Sequence, residues 1–213
     1  MNTLERRGEV RDRILAAAIN EFAENGLRGA STQRIADRAG ITKTRLHYYI
    51  ISKDDVYREA LEHVAASWVR LFEGTQADTS DPVSFLTHYI DRKVRFCLER
   101  PDEVRLFANE VMRGAPILRQ TWHDARRSVQ HAAGMIEGWA EAGLIRRVDP
   151  VLFQFHLWAI TEQYATRMSE VRYMLALEDD MDLEVERIVE EMTAFVLGGL
   201  GLDPAGRGLT RSE

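Results

Sequence analysis

Residues 31–53, STQRIADRAGITKTRLHYYIISK, leave few folds open to this chain. Ser31 and Thr32 are helix N-cap types, and Ile35, Ala36 and Ala39 recur at helical spacing. Gly40 follows, and its freedom at positive φ suits a sharp turn. Ile41 plugs the angle between two helices, and Thr42 is placed to cap the second. That second helix carries Lys43, Thr44, Arg45, Leu46, His47, Tyr48 and Tyr49. Only Leu46 and one tyrosine read as buried there, because two adjacent positions cannot both point inward. Tyr48 is therefore expected outward and Tyr49 partly packed. The remaining side chains offer hydrogen bonds of the kind that reach phosphates and base edges. Ser52-Lys53-Asp54-Asp55 then reads as a capping box opening another helix. Ahead of the motif, Val10, Ile14, Ala17, Ala18 and Phe22 form an apolar stripe that stops at Asn25-Gly26. Three short helices sharing one core, the third with a polar outer face, make a helix-turn-helix and point to double-stranded DNA.

The net charge of −6 on 213 residues argues against that partner until it is resolved along the chain. Residues 1–58 hold 11 Lys/Arg against 8 Asp/Glu, whereas residues 59–213 hold 17 against 26. The basic surplus thus coincides with the helix-turn-helix, as an electrostatic DNA footprint should. No apolar run approaches the roughly 18 residues of a membrane helix. The charged N-terminus MNTLERRGEVRDR lacks the apolar segment of a secretory signal. A single cysteine, Cys97, cannot form an internal disulfide, which fits a cytoplasmic location and reads as a small buried hydrophobe.

Strand patterns are absent, so the fold class is all-α. Beyond the head, the punctuation predicts helices from Lys53 to about Thr75, from Asp81-Pro82 to about Arg100, and from about Asp102 to Arg113. A long helix after Gly114-Ala115-Pro116 runs to Ala142, one from Asp149-Pro150 reaches at least Ser169, and a last one spans about Asp182 to Leu197. This gives about nine helices: a helix-turn-helix DNA-binding domain over residues 1–52, a ligand-binding and dimerisation domain over residues 53–200, and a Gly-rich flexible tail over residues 201–213. A continuous helix from Lys53 joins head to body, a rigid route from a change in the body to the spacing of two heads.

The segment RDRILAAAINEFAENGLRGASTQRIADRAGITKTRLHYYIISKDDVY resembles, without gaps, the head of the TetR family of bacterial transcriptional regulators. That family's recognition helix usually ends Leu-Tyr-x-His-Phe with a lysine shortly after. Here Leu46-His47-Tyr48-Tyr49-Ile50 precedes Lys53, so His47 and Ile50 depart from the pattern while Ile50 keeps an apolar plug. RLFANEVMRGAPIL and IEGWAEAGLIRRVDPVLFQFHLWAITEQYA are similar to the body of the pyrimidine-utilisation (RutR) branch. Together the two likenesses span nearly the whole chain.

On chemistry, Lys43 and Arg45 are candidates for phosphates or guanine edges, a bidentate Arg–guanine contact supplying about 1–3 kcal/mol of discrimination. Thr42, Thr44 and Tyr48 face the groove on the same helix, and His47 and Tyr49 complete that set. The resemblance implies that Thr32, Gln33 and Lys53 hold the DNA backbone, and it implies a homodimer built from the last two long helices. The segment from Val151 to Met168 is apolar on most sides, as expected of a helix buried on most sides. Val151, Phe155, Tyr164, Ile188 and Phe195 are the interface candidates. Two-fold symmetry then requires a pseudo-palindromic operator.

Aromatic and polar residues in the body suit a planar small-molecule effector: His63, Ser67, Trp68, Tyr89, Asn109, Trp158, Thr161 and Glu162. Trp158 and Glu162 lie one helical turn apart, and a carboxylate there accepts N–H donors of a nucleobase. The resemblance implies uracil or thymine, and a repressor that effector releases from DNA. An all-helical enzyme is the first rival, but HExxH, Glu-x-x-His, nucleophile elbow and phosphate loop are all missing from the sequence. No catalytic residue, metal or cofactor is expected. The second rival is a nucleoid-associated or partner-docking DNA-binding protein with no effector.

Overall fold

The computed structural model describes residues 3–73, 78–120, 122–178 and 181–202, and these residues are helical or irregular, with no strand ladder. The chain divides into two compact units, Met1–Trp68 with Arg100–Thr121 and Val69–Glu99 with Trp122–Glu213.

The first unit opens with α1 (Thr3–Gly29), which begins earlier than its apolar stripe indicates and breaks at Gly26, where φ is +62°. Next come α2 (Thr32–Arg38), α3 (Lys43–Tyr49) and the start of α4 (Lys53–Glu73). The last member is α6 (Pro101–Met112), reached after α5 (Pro82–Glu99). It packs along α1, where Val104 and Leu106 join Ile14, Ala18, Phe22, Ile35, Leu46, Tyr57 and Leu61 in one core. A 3₁₀ turn at Leu118–Gln120 closes the unit.

Two buried carboxylates brace this core. Glu110 accepts from the Tyr57 hydroxyl at 3.0 Å and from Ile117 N at 2.7 Å. Burial, with the nearby Glu110 charge, drives the Tyr57 phenol well above its ordinary range. Glu21, with no exposed surface, accepts from Ser31 N at 3.0 Å and from Arg34 Nε at 2.7 Å.

The second unit contains the end of α4, α5, α7 (Trp122–Glu141), α8 (Pro150–Thr166), α9 (Met168–Met174) and α10 (Val185–Gly199). Its core is aromatic: Phe85 stacks on Tyr89 and meets Trp139 and Phe72 edge-on. The Trp139 indole donates to Thr79 O at 2.7 Å, which satisfies the polar end of a buried ring. α5 packs against both α8 and α10, and α7 against α8.

Several expected boundaries move. The helix expected from Asp149-Pro150 to Ser169 ends at Thr166, capped by Asp149 at its start as anticipated. The Thr166 hydroxyl bonds back to Glu162 O at 2.8 Å, and Arg167 leaves the helical region at φ −129° and ψ 33°. A separate short helix follows, giving ten among the described residues. The helix expected to run up to Ala142 begins only at Trp122, behind the 3₁₀ turn, and the last helix starts at Val185. The compact units are also drawn differently from the 1–52 and 53–200 division, because α6 and the first turns of α4 share the core of α1–α3. Thr75 and residues 203–213 of the expected tail lie outside the described residues.

Candidate DNA-reading face and effector cluster

The helix-turn-helix is built from local signals that each take the expected place. Ser31 caps α2 by accepting from Gln33 N at 3.2 Å, and Thr42 caps α3 by accepting from Arg45 N at 3.2 Å. Gly40 adopts φ +66° in the turn, and Ile41 N closes it on Ala36 O at 3.0 Å. Ser52 caps α4 through Asp55 N at 3.1 Å, while its hydroxyl donates to the Asp55 carboxylate at 2.6 Å. That hydrogen bond, together with the Arg58 guanidinium, holds the Asp55 carboxyl below its usual range.

On α3 only Leu46 is buried; Thr42, Lys43, Thr44, Arg45, His47 and Tyr48 are exposed and Tyr49 is half-buried. Tyr48 is 70% exposed, the outward member of the tyrosine pair as expected, and it meets Tyr49 edge-on. Thr32 is half-buried and Gln33 is exposed, its amide donating to Asp37 at 2.8 Å. Lys53 is half-buried, and its ammonium donates to Ala30 O at 3.0 Å, tying the start of α4 to the loop before α2.

Sequence reading missed the device that sets α2 against α1. Glu21 gathers Arg34, which also bonds Gly29 O at 2.6 Å, and Arg38, whose Nε lies 3.6 Å away. Burial pushes the Glu21 carboxyl up, but hydrogen bonds from Arg34 and Ser31 and the two guanidinium charges outweigh it, leaving its pKa lowered. The signal was available: a carboxylate sits between Ala18 and Phe22 in an otherwise apolar stripe.

The eight effector candidates fall into two groups. His63, Ser67, Trp68 and Asn109 belong to the first unit and Tyr89, Trp158, Thr161 and Glu162 to the second. In the first, Ser67 donates to His63 O at 3.1 Å, Asn109 donates to Ala23 O at 3.2 Å, and Trp68 meets Phe107 edge-on. In the second, Thr161 spends its hydroxyl on Leu157 O and Trp158 O, at 2.9 and 3.0 Å. The Tyr89 phenol neighbours the Trp158 side chain and the Glu162 carboxylate. Glu162, on the same helix as Trp158, meets Lys93 of α5 at 3.2 Å.

Lys93 was not among the candidates, although it interrupts the apolar run Ile90, Val94, Cys97 of α5. Its side chain is 3% exposed, against 29% for Glu162. Burial raises the Tyr89 phenol well above its ordinary range, opposed by the Trp158 side chain and reinforced by the Glu162 charge. Burial likewise pushes the Cys97 thiol up to about 12 despite the nearby Lys93 ammonium, so this sulfur stays protonated and unreactive at neutral pH.

Of the interface candidates, Phe155 is 47% and Phe195 is 73% exposed, while Val151, Tyr164 and Ile188 are half-buried. Leu152, one turn from Phe155 on α8, is 51% exposed. No helix of the described residues is long and apolar enough to cross a membrane. No group of three or more His, Cys, Asp or Glu among them could hold a metal ion.

Known proteins share this geometry. Residues 14–60 match the family "Bacterial regulatory proteins, tetR family", and residues 61–203 match "YcdC-like protein, C-terminal region". The HTH-type transcriptional regulator RutR of Escherichia coli K12 is 28% identical over 188 residues, 88% of each chain. A transcriptional regulator of Streptomyces coelicolor superposes with a TM-score of 0.68 at 26% identity, over 89% of this chain and 97% of that one. AibR, solved with isovaleryl coenzyme A and operator DNA, shares the fold with a TM-score of 0.65 at 20% identity, over 88% and 97%. The chain belongs to the TetR family of bacterial DNA-binding transcriptional regulators.

Proposed function

We propose that the protein works in the cytoplasm as a homodimeric repressor, bound to a pseudo-palindromic operator and released from it by a small planar effector. The observation that carries the DNA side is α3: a helix capped at its start, anchored by buried Leu46 and half-buried Tyr49, with Lys43, Thr44, Arg45, His47 and Tyr48 turned outward. Arg45 reads a base edge, Lys43 and Lys53 hold phosphates with Thr32 and Gln33, and two heads sit about 34–36 Å apart to meet successive major grooves. The division of labour follows residues 1–52, with Lys53, for DNA and the rest of 53–200 for effector and dimer. Exposed Leu152 and Phe155 on α8 and Phe195 on α10 support the dimer, since apolar side chains of this size cost least when a partner subunit covers them.

Support for the effector comes from the second unit. Lys93 presents a donor and Glu162 an acceptor side by side, flanked by Tyr89 and Trp158. A pyrimidine carries a carbonyl and an N–H at neighbouring ring positions, which suit that pair, and a flat ring for the indole. Uracil and thymine are therefore the first effectors to test. Effector binding shifts the population of head spacings, and a coupling of about 1–3 kcal/mol suffices for 5–150-fold release.

The test begins with the mass in solution and with duplexes selected from random DNA by the purified protein. A dimer and a two-fold symmetric consensus are expected. Arg45→Ala should relax preference at one base pair per half-site, whereas Lys53→Ala should weaken binding to all sequences and flatten its salt dependence. Identical behaviour of the two variants, or no consensus, would reject these roles.

A further inference from the structure

We propose that Arg7, on the first turns of α1, is a DNA-phosphate contact outside the helix-turn-helix, held ready by Tyr48 of α3. Its guanidinium lies over the Tyr48 ring, 5.6 Å from the centroid, with Nη2 3.4 Å from the phenol oxygen. Arg7 and Tyr48 are 41 positions apart in the chain and both exposed, so the contact joins the start of α1 to the recognition helix. One turn on, Arg11 is neutralised by Glu59 at 2.9 Å. Among the described residues Arg7 meets no carboxylate, and its charge remains available for an external anion.

A guanidinium resting on an aromatic face keeps its N–H fork directed outward and loses less freedom when it engages a phosphate. Tyr48 is also the outward tyrosine of the helix proposed to enter the groove. A duplex docked on α3 therefore brings its backbone to the Arg7–Tyr48 pair. The contact carries no base information; it adds affinity and salt dependence and lengthens the footprint beyond α3.

This inference rests on docking through α3, and the experiment separates the two. Binding to a selected duplex and to a scrambled one is measured by anisotropy across a salt series, for wild type, Arg7→Ala, Arg45→Ala, Tyr48→Ala and the Arg7→Ala/Tyr48→Ala double variant. Arg7→Ala is expected to weaken both duplexes alike and to lower the slope of log K against log salt by about 0.9 per bound protomer. In the Tyr48→Ala background, Arg7→Ala is expected to change little more. An unchanged slope in Arg7→Ala while Arg45→Ala weakens binding would overturn the Arg7 contact alone. Equal loss from Arg7→Ala in both backgrounds would overturn the role of Tyr48 as its support. Full binding by both Arg7→Ala and Arg45→Ala would overturn docking through α3, and the Arg7 contact with it.

Discussion

Each unit of this protein buries a charge beside one of its proposed working surfaces, and the two do so in opposite senses. In the first unit the anion is inside: Glu21 is fully covered, while Arg34 and Arg38 keep 48% and 35% of their side chains in solvent. In the second the cation is inside: Lys93 is covered and Glu162 is partly open. Glu21 is met by two guanidinia and a backbone N–H, which fix α2 on α1. Lys93 meets a carboxylate that solvent already reaches, beside an indole and a phenol. A buried carboxylate that ties two helices together is a structural clamp, whereas a carboxylate left half-open beside aromatic rings offers an acceptor to something that enters.

The difference can be broken by substitution. Glu21→Ala removes the acceptor shared by Arg34, Arg38 and Ser31 N, and the expected cost is about 1–3 kcal/mol in urea unfolding, with operator affinity falling in parallel. Wild-type stability in that variant would mean that the clamp holds nothing. A smaller effect appears in acid. Because the Glu21 carboxyl is lowered from 4.5 in the fold, its contribution is complete above that value and disappears as pH falls through the depressed one. The stability gap between wild type and Glu21→Gln should therefore shrink below about pH 4.3, the ordinary carboxylate range, and be flat above about pH 6. A gap that widens in acid would reverse the sign of the shift.

The smallest effect on folding is expected at the other pair. Lys93→Met exchanges a buried ammonium for an apolar chain of similar length and leaves Glu162 free to hydrate. Stability should then change by less than in Glu21→Ala, because the charge left behind is the one that solvent already reaches. A loss as large as that of Glu21→Ala would make the pair a second clamp and remove the contrast.

How far the sequence carried the reading follows the range of the interactions. Ser31, Gly40, Thr42 and Ser52 act on residues within three positions, so the helix-turn-helix was legible down to its caps. Asp149-Pro150 marked the start of α8 for the same reason, but its end rests on one hydroxyl, Thr166, turning back to Glu162 O. The allegiance of α6 was not legible, because Val104 and Leu106 would look the same whichever core received them. Nor was the separation of Asn109 and Trp68 from Trp158 and Glu162, a matter of which helices pack together. Glu21 and Lys93 were visible only as charges at core-facing positions, and their partners lie 13 and 69 residues further along the chain.

The most direct test of the account follows fluorescence anisotropy of the protein on DNA from just upstream of its own gene, at fixed salt, with a scrambled duplex as control. Uracil, thymine and unrelated metabolites are added in turn to wild type and to Lys93→Met. Selective binding that a pyrimidine abolishes in wild type but not in Lys93→Met is the predicted result. Selective binding that no pyrimidine alters, release that survives Lys93→Met unchanged, or equal binding to scrambled DNA would contradict it.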